Sequence, residues 1–393
     1  MRVRVSLGAP NLETLLMIIQ NNNNYGHYEV GGTVYTNKLE ALQFASKTGN
    51  PVVFNFYDEV FSTCNWTKRP AGTLQELYKL RAQQLRDTYD YIVINFSGGS
   101  DSWTTLYSFL SNGIHVDEVY TRWPLAQKKY TPANPTDFSN INHSSEYDYA
   151  VLPVLEDVAK RFPNTRICID DYSEEYEHDF NEEKLKKGGH YLSMGSFFRY
   201  SRKSEWECEA VRQGKSVGVI YGFEKTMCHI KDGNFYSYFV DRIGPADPDP
   251  ERISEAFFWS PQMPELAIAQ AHELKHYYET TANADEMALI TQEITRGHSV
   301  PRDTYIRVCY PEYNIHTFQT DKFSGSIMQE VDFWVVRYNR RFFDGWRWHI
   351  KQSLTSVDRS LLDYKHGVMV GLSPLNTRLY CLGKFNKKDI YIG

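Results

Sequence analysis

Residues 91–110 read YIVINFSGGSDSWTTLYSFL, and this segment predicts three consecutive local structures. Its apolar, β-rich run Tyr91–Phe96 has the composition of a short buried strand. The small polar residues Ser97–Ser102 favour a loop, and Trp103–Leu110 favours a helix that ends at Asn112-Gly113. A strand, a loop and a helix in this order form the beginning of a parallel β-α unit.

Strand and helix patterns continue to alternate along the chain, as they do in parallel β-α proteins. We therefore predict an α/β fold with a Rossmann-like, doubly wound parallel sheet within residues 71–244. Residues 1–70 are expected to form an α/β extension, and residues 245–393 a mainly helical, aromatic-rich C-terminal unit. The further elements predicted for the core are a helix from Thr73 to Asp87, strand Asp117–Trp123, helix Asp148–Phe162, strand Thr165–Asp171, helix Arg202–Gln213 and strand Ser216–Phe223.

One predicted connection in the core is much longer than the others. The segment Pro124–Tyr147 is rich in Pro, Asn, Ser and Thr and exceeds an ordinary βα loop. It follows the C-terminal end of a strand, where sheets of this kind bind ligands, so we interpret it as a lid or a substrate-facing insertion. The extension is predicted to contain strand Arg2–Ser6, helix Leu12–Ile19, a helix capped by Asn37 that runs to Ser46, and strand Pro51–Tyr57.

The composition limits the classes of partner. The 393 residues are 41% apolar and 23% charged with a net charge of −6, as in a globular protein of more than one packed unit. The negative balance argues against broad charge-driven nucleic-acid binding, although a local basic patch and an RNA substrate stay open. Because no signal peptide or membrane-spanning run is visible, we expect a cytoplasmic protein with no membrane partner. Whether it forms a homo-oligomer is open.

The loop Ser97–Ser102 has the groups that an anion needs. Backbone N–H groups and a helix N-terminus converge there, glycines allow oxygen atoms to approach closely, and serines add hydroxyl donors. Asp101 would repel bare phosphates, but a bridging Mg²⁺ makes its carboxylate favourable. The sequence lacks the lysine and the spacing of a Walker A loop, so γ-phosphate transfer is disfavoured.

The hexad resembles the S-G-G-x-D-S signature of the PP-loop ATP pyrophosphatases, which include GMP synthetase, NAD synthetase and tRNA lysidine synthetase. The resemblance implies a HUP-type fold, the cofactors ATP and Mg²⁺, and cleavage of ATP to AMP and pyrophosphate with adenylation of a substrate carbonyl or carboxylate. The acceptor substrate that would be adenylated is unidentified and could be a small molecule or a nucleic acid. The resemblance also implies that Asp101 lies near the metal and acts in catalysis, and that the phosphates are held by Ser97, Gly98, Gly99, Ser100 and Ser102.

Topology suggests further site residues. Thr121 and Arg122 end the second core strand, where the adenine is expected, and Arg122 is alternatively a solvated surface residue. Gly222 and Lys225 follow the run Ser216–Ile220 of the fourth strand, and Lys225 is a candidate catalytic residue that would neutralise pyrophosphate. The acidic pair Asp170-Asp171 is expected either to help a metal or the acceptor, or simply to be solvated.

Other patterns point to different functions. His272-Glu273-Leu274-Lys275-His276 matches the H-E-x-x-H pattern of zinc hydrolases, for which the third zinc ligand would have to be Glu279 or Glu293. The alternative is an ordinary amphipathic helix that binds no metal. Cys381 only faintly matches the cysteine motif of sulfonucleotide reductases, which share the PP-loop fold. The tail Val331–Trp348 interleaves aromatic and basic residues, as RNA-binding segments and packed cores both do.

An alternative without turnover also stays open. The chain could be a nucleotide-binding regulatory or structural protein without turnover. Segments such as Phe56–Phe61 and Trp66–Lys68 make the whole chain similar to PP-loop proteins of tailed bacteriophages, which would place it in an infected bacterial cytoplasm.

Overall fold

A computed structural model describes residues 26–131, 133–138, 142, 144–181, 202–222, 225–241, 249, 251–292, 300–314, 317–318, 331–365 and 368–387. The predicted strand Arg2–Ser6 and helix Leu12–Ile19 lie outside these residues. The first described elements are β1 (His27–Val30), β2 (Thr33–Tyr35), α1 (Lys38–Thr48), β3 (Val52–Asn55) and the short α2 (Asp58–Phe61).

These first elements form a small antiparallel unit. Strand β1 lies between β2 and β3 and pairs with both. Helix α1 begins where predicted, because the Asn37 side chain accepts hydrogen bonds from the N–H groups of Leu39 and Glu40. The α/β character expected of the N-terminal region is therefore present from residue 26 onward.

The core contains five parallel strands. The elements of this region are α3 (Leu74–Thr88), β4 (Tyr91–Asn95), α4 (Ser100–Leu110), β5 (Glu118–Trp123), α5 (Leu152–Arg161), β6 (Arg166–Asp171), α6 (Glu205–Arg212), β7 (Val217–Tyr221), β8 (Met227–Lys231), β9 (Asn234–Tyr238) and β10 (Ile253–Ala256). Strands β8 and β9 belong to a separate antiparallel sheet. The parallel strands lie in the order β10-β7-β4-β5-β6. The chain moves from β4 through β5 to β6 on one side and then crosses to β7 and β10 on the other. The predicted Rossmann-like α/β class is confirmed.

Helices cover both faces of this sheet. Ile92 and Ile94 of β4 face one side, in the apolar cluster that also contains Leu106 of α4. Tyr91 and Val93 face the other side, in a cluster with residues of α6. This alternation follows from the two-residue period of a strand, and burial on both faces explains the continuous apolar run at residues 91–94.

Among the described residues after 244, helices are accompanied by strands that the sequence did not predict. The helices are α7 (Pro264–Thr280), α8 (Ala284–Thr291), α9 (Arg302–Cys309), α10 (Val331–Tyr338) and α11 (Arg340–Leu354). The strands include β11 (Leu362–Lys365), β12 (Val368–Leu372) and β13 (Tyr380–Lys384), and β10 is itself the fifth strand of the core sheet. Strand β13 pairs with β9, which pairs with β8. Strand β10 was not predicted, because its sequence, ISEA, contains polar residues and lacks a continuous apolar run.

Helix α4 begins earlier than predicted. It starts at Ser100 rather than at Trp103, so half of the polar hexad is helical. Serine and aspartate are well suited to a first helical turn, where orphan N–H groups favour polar and acidic side chains. In the part of the chain that the structure describes, no helix is long and apolar enough to cross a bilayer.

Candidate functional site

The hexad lies where the strand order of the sheet reverses. It follows β4, and β4 pairs with β5 on one side and with β7 on the other. In open parallel sheets the crevice at such a reversal, outside the carboxyl ends of the strands, is the usual ligand position. The loops after β4 and β7 meet at this crevice.

Gly98 gives the loop its close contact with the turn that follows the long insertion. Its φ of +80° lies in the left-handed region, and an added Cβ would come 2.7 Å from Cγ2 of Val151. Val151 ends a π-helical turn, Tyr147–Val151, that leads from the insertion into α5. A larger residue at position 98 would therefore push this turn away from the loop.

Ser102 closes the loop from inside. Its hydroxyl accepts a hydrogen bond from the Ser97 N–H at 3.2 Å and donates to the Gly99 carbonyl at 3.0 Å. The Ser97 and Ser102 hydroxyl oxygens are 3.3 Å apart. Ser100 and Ser102 are buried, whereas Ser97 is exposed and Gly99 partly exposed. Within the hexad, Ser102 shapes the loop, whereas Ser97 and Gly99 keep accessible surface.

The N-terminus of α4 is open toward the crevice. Gly99 is the N-cap, and no side chain caps the helix there. The first N–H groups of a helix have no partner within the helix and carry its positive dipole end. An added Cβ at Gly99 would meet only the Ser97 hydroxyl, at 3.7 Å, so the backbone is accessible at this point. The arrangement suits an anion.

The loop after β7 packs directly on this helix end. An added Cβ at Gly222 would lie 2.6 Å from the Asp101 carbonyl oxygen and 2.7 Å from the Thr105 hydroxyl, so no other residue fits there. Three residues later, Lys225 reaches across the crevice. Its ammonium group lies 2.9 and 3.0 Å from the two carboxylate oxygens of Asp101. The structure thus brings together two predicted residues that are 124 positions apart.

Two tyrosines near this ion pair are missed by the sequence reasoning. The Lys225 ammonium lies 4.8 Å from the ring centroid of Tyr305 and 6.0 Å from that of Tyr310. Burial raises the pKa of both phenols far above the usual range, and the negative charge of Asp101 adds to this effect. Both phenols therefore remain neutral and form an apolar, π-rich floor under the lysine. Nothing in the local sequence of α9 indicates this position.

Thr121 and Arg122 make contacts within the protein. The buried Thr121 hydroxyl donates to the Phe96 carbonyl at 2.6 Å, which ties the end of β5 to the end of β4. The Arg122 guanidinium contacts Asp170 at 2.8 Å and Glu175 at 3.3 Å. Their side chains therefore organise the sheet edge, and a contact of either residue with a nucleotide stays a prediction.

The acidic pair after β6 is engaged as well. Asp170 accepts hydrogen bonds from the Tyr120 hydroxyl and from Arg202, both at 2.6 Å. Asp171 accepts from the N–H groups of Leu125 and Ser173, both at 3.0 Å. These contacts hold together the segments that follow β5 and β6.

The H-E-x-x-H segment forms a helix, but its side chains diverge. His272 donates from Nε2 to the Trp66 carbonyl at 3.0 Å, and burial lowers the pKa of its imidazole. Glu273 pairs with Arg69 at 2.6 Å, and His276 is exposed. Among the described residues, no group of three His, Cys, Asp or Glu side chains could hold a metal ion. Cys381 is exposed on β13.

Comparisons with known proteins find no family model, no curated protein and no solved structure that matches the chain. The site is therefore interpreted from its own residues. It combines an open helix N-terminus, exposed donors at Ser97 and Gly99, one carboxylate and one ammonium group. Such a set can bind a polyphosphate, with Lys225 and the helix as the positive partners.

Proposed function

We propose that the protein binds Mg-ATP in this crevice and cleaves it to AMP and pyrophosphate while adenylating a substrate. The observation that carries the proposal is the convergence of the Ser97–Ser102 loop, an uncapped helix N-terminus and Lys225 at the reversal of the strand order. The proposal includes a HUP-type assignment of the sheet and a cytoplasmic location.

The chain's own residues supply binding and charge stabilisation. Ser97 and the N–H groups at the start of α4 would hold the β and γ phosphates, and Lys225 would leave Asp101 to neutralise the departing pyrophosphate. Mg²⁺ is commonly bound through one or two carboxylates plus phosphate oxygens and water, and Asp101 provides one such carboxylate. When bound, the metal would offset the negative charge that builds up on the phosphates.

In the proposed reaction the substrate supplies the attacking oxygen, and the protein supplies positioning and charge stabilisation. A carbonyl or carboxylate oxygen of the acceptor attacks the α-phosphorus, the bond to the β-phosphate oxygen breaks, and pyrophosphate leaves. A nitrogen or sulfur nucleophile then displaces AMP. The site offers no evident general base, so positioning and electrostatics are the protein's main contributions.

The test is release of AMP and pyrophosphate from ATP and Mg²⁺ by the wild type and by Asp101→Ala, with and without pools of tRNA or small metabolites. AMP release that the substitution abolishes supports the proposal. ATP binding without AMP under every condition would favour a binding protein without turnover. No ATP binding at all would refute the proposal.

A further inference from the structure

The aromatic, basic tail has two interpretations, a packed core and an RNA-binding segment. Helix α11 has one face with the features of a core and another with the features of an RNA-binding segment. Its buried face carries Phe342, Phe343, Trp346, Ile350 and Leu354, so one set of aromatic residues is core. Its exposed residues are Arg340, Arg341, Asp344, Arg347, Trp348, Lys351 and Gln352. The exposed face therefore holds four cations, one carboxylate and a single aromatic plane.

Trp348 is unusually accessible for a tryptophan. Its relative exposure is 64%. Lys351, three residues later, is its neighbour on the helix surface, Arg341 lies two turns before it on the same face, and the exposed Arg347 directly precedes it. Arg341 lies 3.8 Å from Asp179 with both side chains largely exposed, which is a weak pair. A tryptophan plane framed by cations is the combination that stacks a base and binds its neighbouring phosphates.

The position of α11 relates this surface to the crevice. Phe342 packs against Tyr176, with ring centroids 5.0 Å apart, and Tyr176 belongs to the turn that follows β6. Asn339 at the helix start donates to the Tyr176 carbonyl at 2.8 Å. Because the carboxyl ends of parallel strands share one edge of a sheet, α11 lies on the same edge as the Ser97–Ser102 loop.

We infer that the exposed face of α11 binds a single-stranded nucleic acid and presents it to the crevice as the acceptor. Trp348 would stack on a base, and Arg341, Arg347 and Lys351 would contact phosphates. A bilayer is a poorer match, because membrane-surface helices bury an apolar stripe and Trp348 is the one exposed apolar residue of α11. The acceptor role rests on the proposed function, whereas the binding itself does not.

The test measures binding of a fluorescein-labelled, mixed-sequence 20-nucleotide single-stranded RNA without ATP, by anisotropy at several salt concentrations. We expect Trp348→Ala to weaken binding about tenfold, the order of one lost stacking contact. Arg347→Glu/Lys351→Glu should lower the slope of log affinity against log salt by about 1.4, at about 0.7 for each lost phosphate contact.

Matched controls come from elsewhere on the surface. Trp206 is 39% exposed on α6, a helix that packs on the Tyr91 and Val93 face of β4, and Trp206→Ala should leave binding unchanged. Lys79 and Lys215 are exposed, and Lys215 precedes β7 at the amino edge of the sheet. Lys79→Glu/Lys215→Glu therefore repeats the charge change away from α11, and we expect wild-type affinity and slope.

The outcomes separate this inference from the proposed function. RNA binding with the expected variant effects supports the surface, even if the protein never releases AMP. AMP release by a protein that does not bind the 20-mer at low salt overturns the inference while the enzyme proposal stands. Equal RNA affinity for wild type and both α11 variants also overturns it, as does binding to phosphatidylserine–phosphatidylcholine vesicles that Trp348→Ala weakens while RNA binding stays intact.

Discussion

Lys225 and Asp101 form an ion pair that the proposed binding of Mg-ATP would rearrange. The ammonium group lies within 3.0 Å of both carboxylate oxygens. Under the proposed function, Asp101 would instead contact the metal and Lys225 the phosphates. Asp101 keeps 32% of its side chain exposed, so the pair contributes little to folding and can exchange partners. Such a pair is compatible with the proposed ligand, which carries both a cation and anionic oxygens.

Lys225→Gln should separate catalysis from binding. We expect AMP release at saturating ATP to fall about 100-fold, the order seen when a stabiliser of transition-state charge is removed. The half-saturating Mg²⁺ concentration should fall, because Asp101 no longer shares its carboxylate with an ammonium group. Lys231→Gln, an exposed lysine at the end of β8, is the control and should match the wild type. Unchanged AMP release by Lys225→Gln would exclude a leaving-group role for this residue.

At the scale of secondary structure, the edge formed by β5 and β6 depends on Asp170. Burial alone would raise the pKa of this carboxyl, but the Tyr120 hydrogen bond and the charges of Arg122 and Arg202 outweigh it and hold the pKa below its usual value. The folded state therefore favours the ionised form. That contribution to stability is complete at neutral pH and is lost as the pH falls from about 4 through the lower pKa of the folded state.

Asp170→Asn should lower the free energy of unfolding by about 2 kcal/mol at pH 7, because two arginines lose a largely buried partner. The difference from the wild type should shrink at pH 3, since Asp170 is then increasingly protonated in the wild type as well. Urea unfolding at both pH values measures this. Asp344→Asn removes the exposed pair with Arg340 and should cost under about 0.5 kcal/mol. A pH-independent difference for Asp170→Asn would contradict the assigned cause.

The elements also show what local sequence can and cannot predict. The continuous apolar run of β4 and the Thr73–Glu76 capping box of α3 are local signals, and both elements form within a residue of their predicted positions. Strand β10 has no such signal, because Ile253–Ala256 is defined by pairing with β7 and by contact of Glu255 with Arg81. Likewise, the hexad was recognisable from residues 97–102, whereas Tyr305 reaches Lys225 only through tertiary packing.

At the scale of the molecule, the three predicted units share one core. A single cluster of buried apolar side chains includes Tyr28 of the N-terminal sheet, Ile92 of the parallel sheet and Tyr278 of α7. A buried ion pair joins Lys38 of α1 to Asp241 at 2.6 Å, with side chains that are 4% and 0% exposed. Asp241 also accepts from the N–H of Leu375, near the C-terminus, at 2.6 Å. Unfolding should therefore involve all three regions together.

Lys38→Met tests this coupling, because it leaves the Asp241 carboxylate buried without its cation. We expect the free energy of unfolding to fall by about 3–5 kcal/mol at pH 8, with one coincident transition by circular dichroism and tryptophan fluorescence. Burial already raises the pKa of Asp241. Losing the lysine raises it further, so the folded variant takes up a proton as the pH falls and the deficit narrows toward pH 5. Adding Asp241→Asn should recover part of the loss, whereas separate transitions for the two probes would show that the regions fold independently.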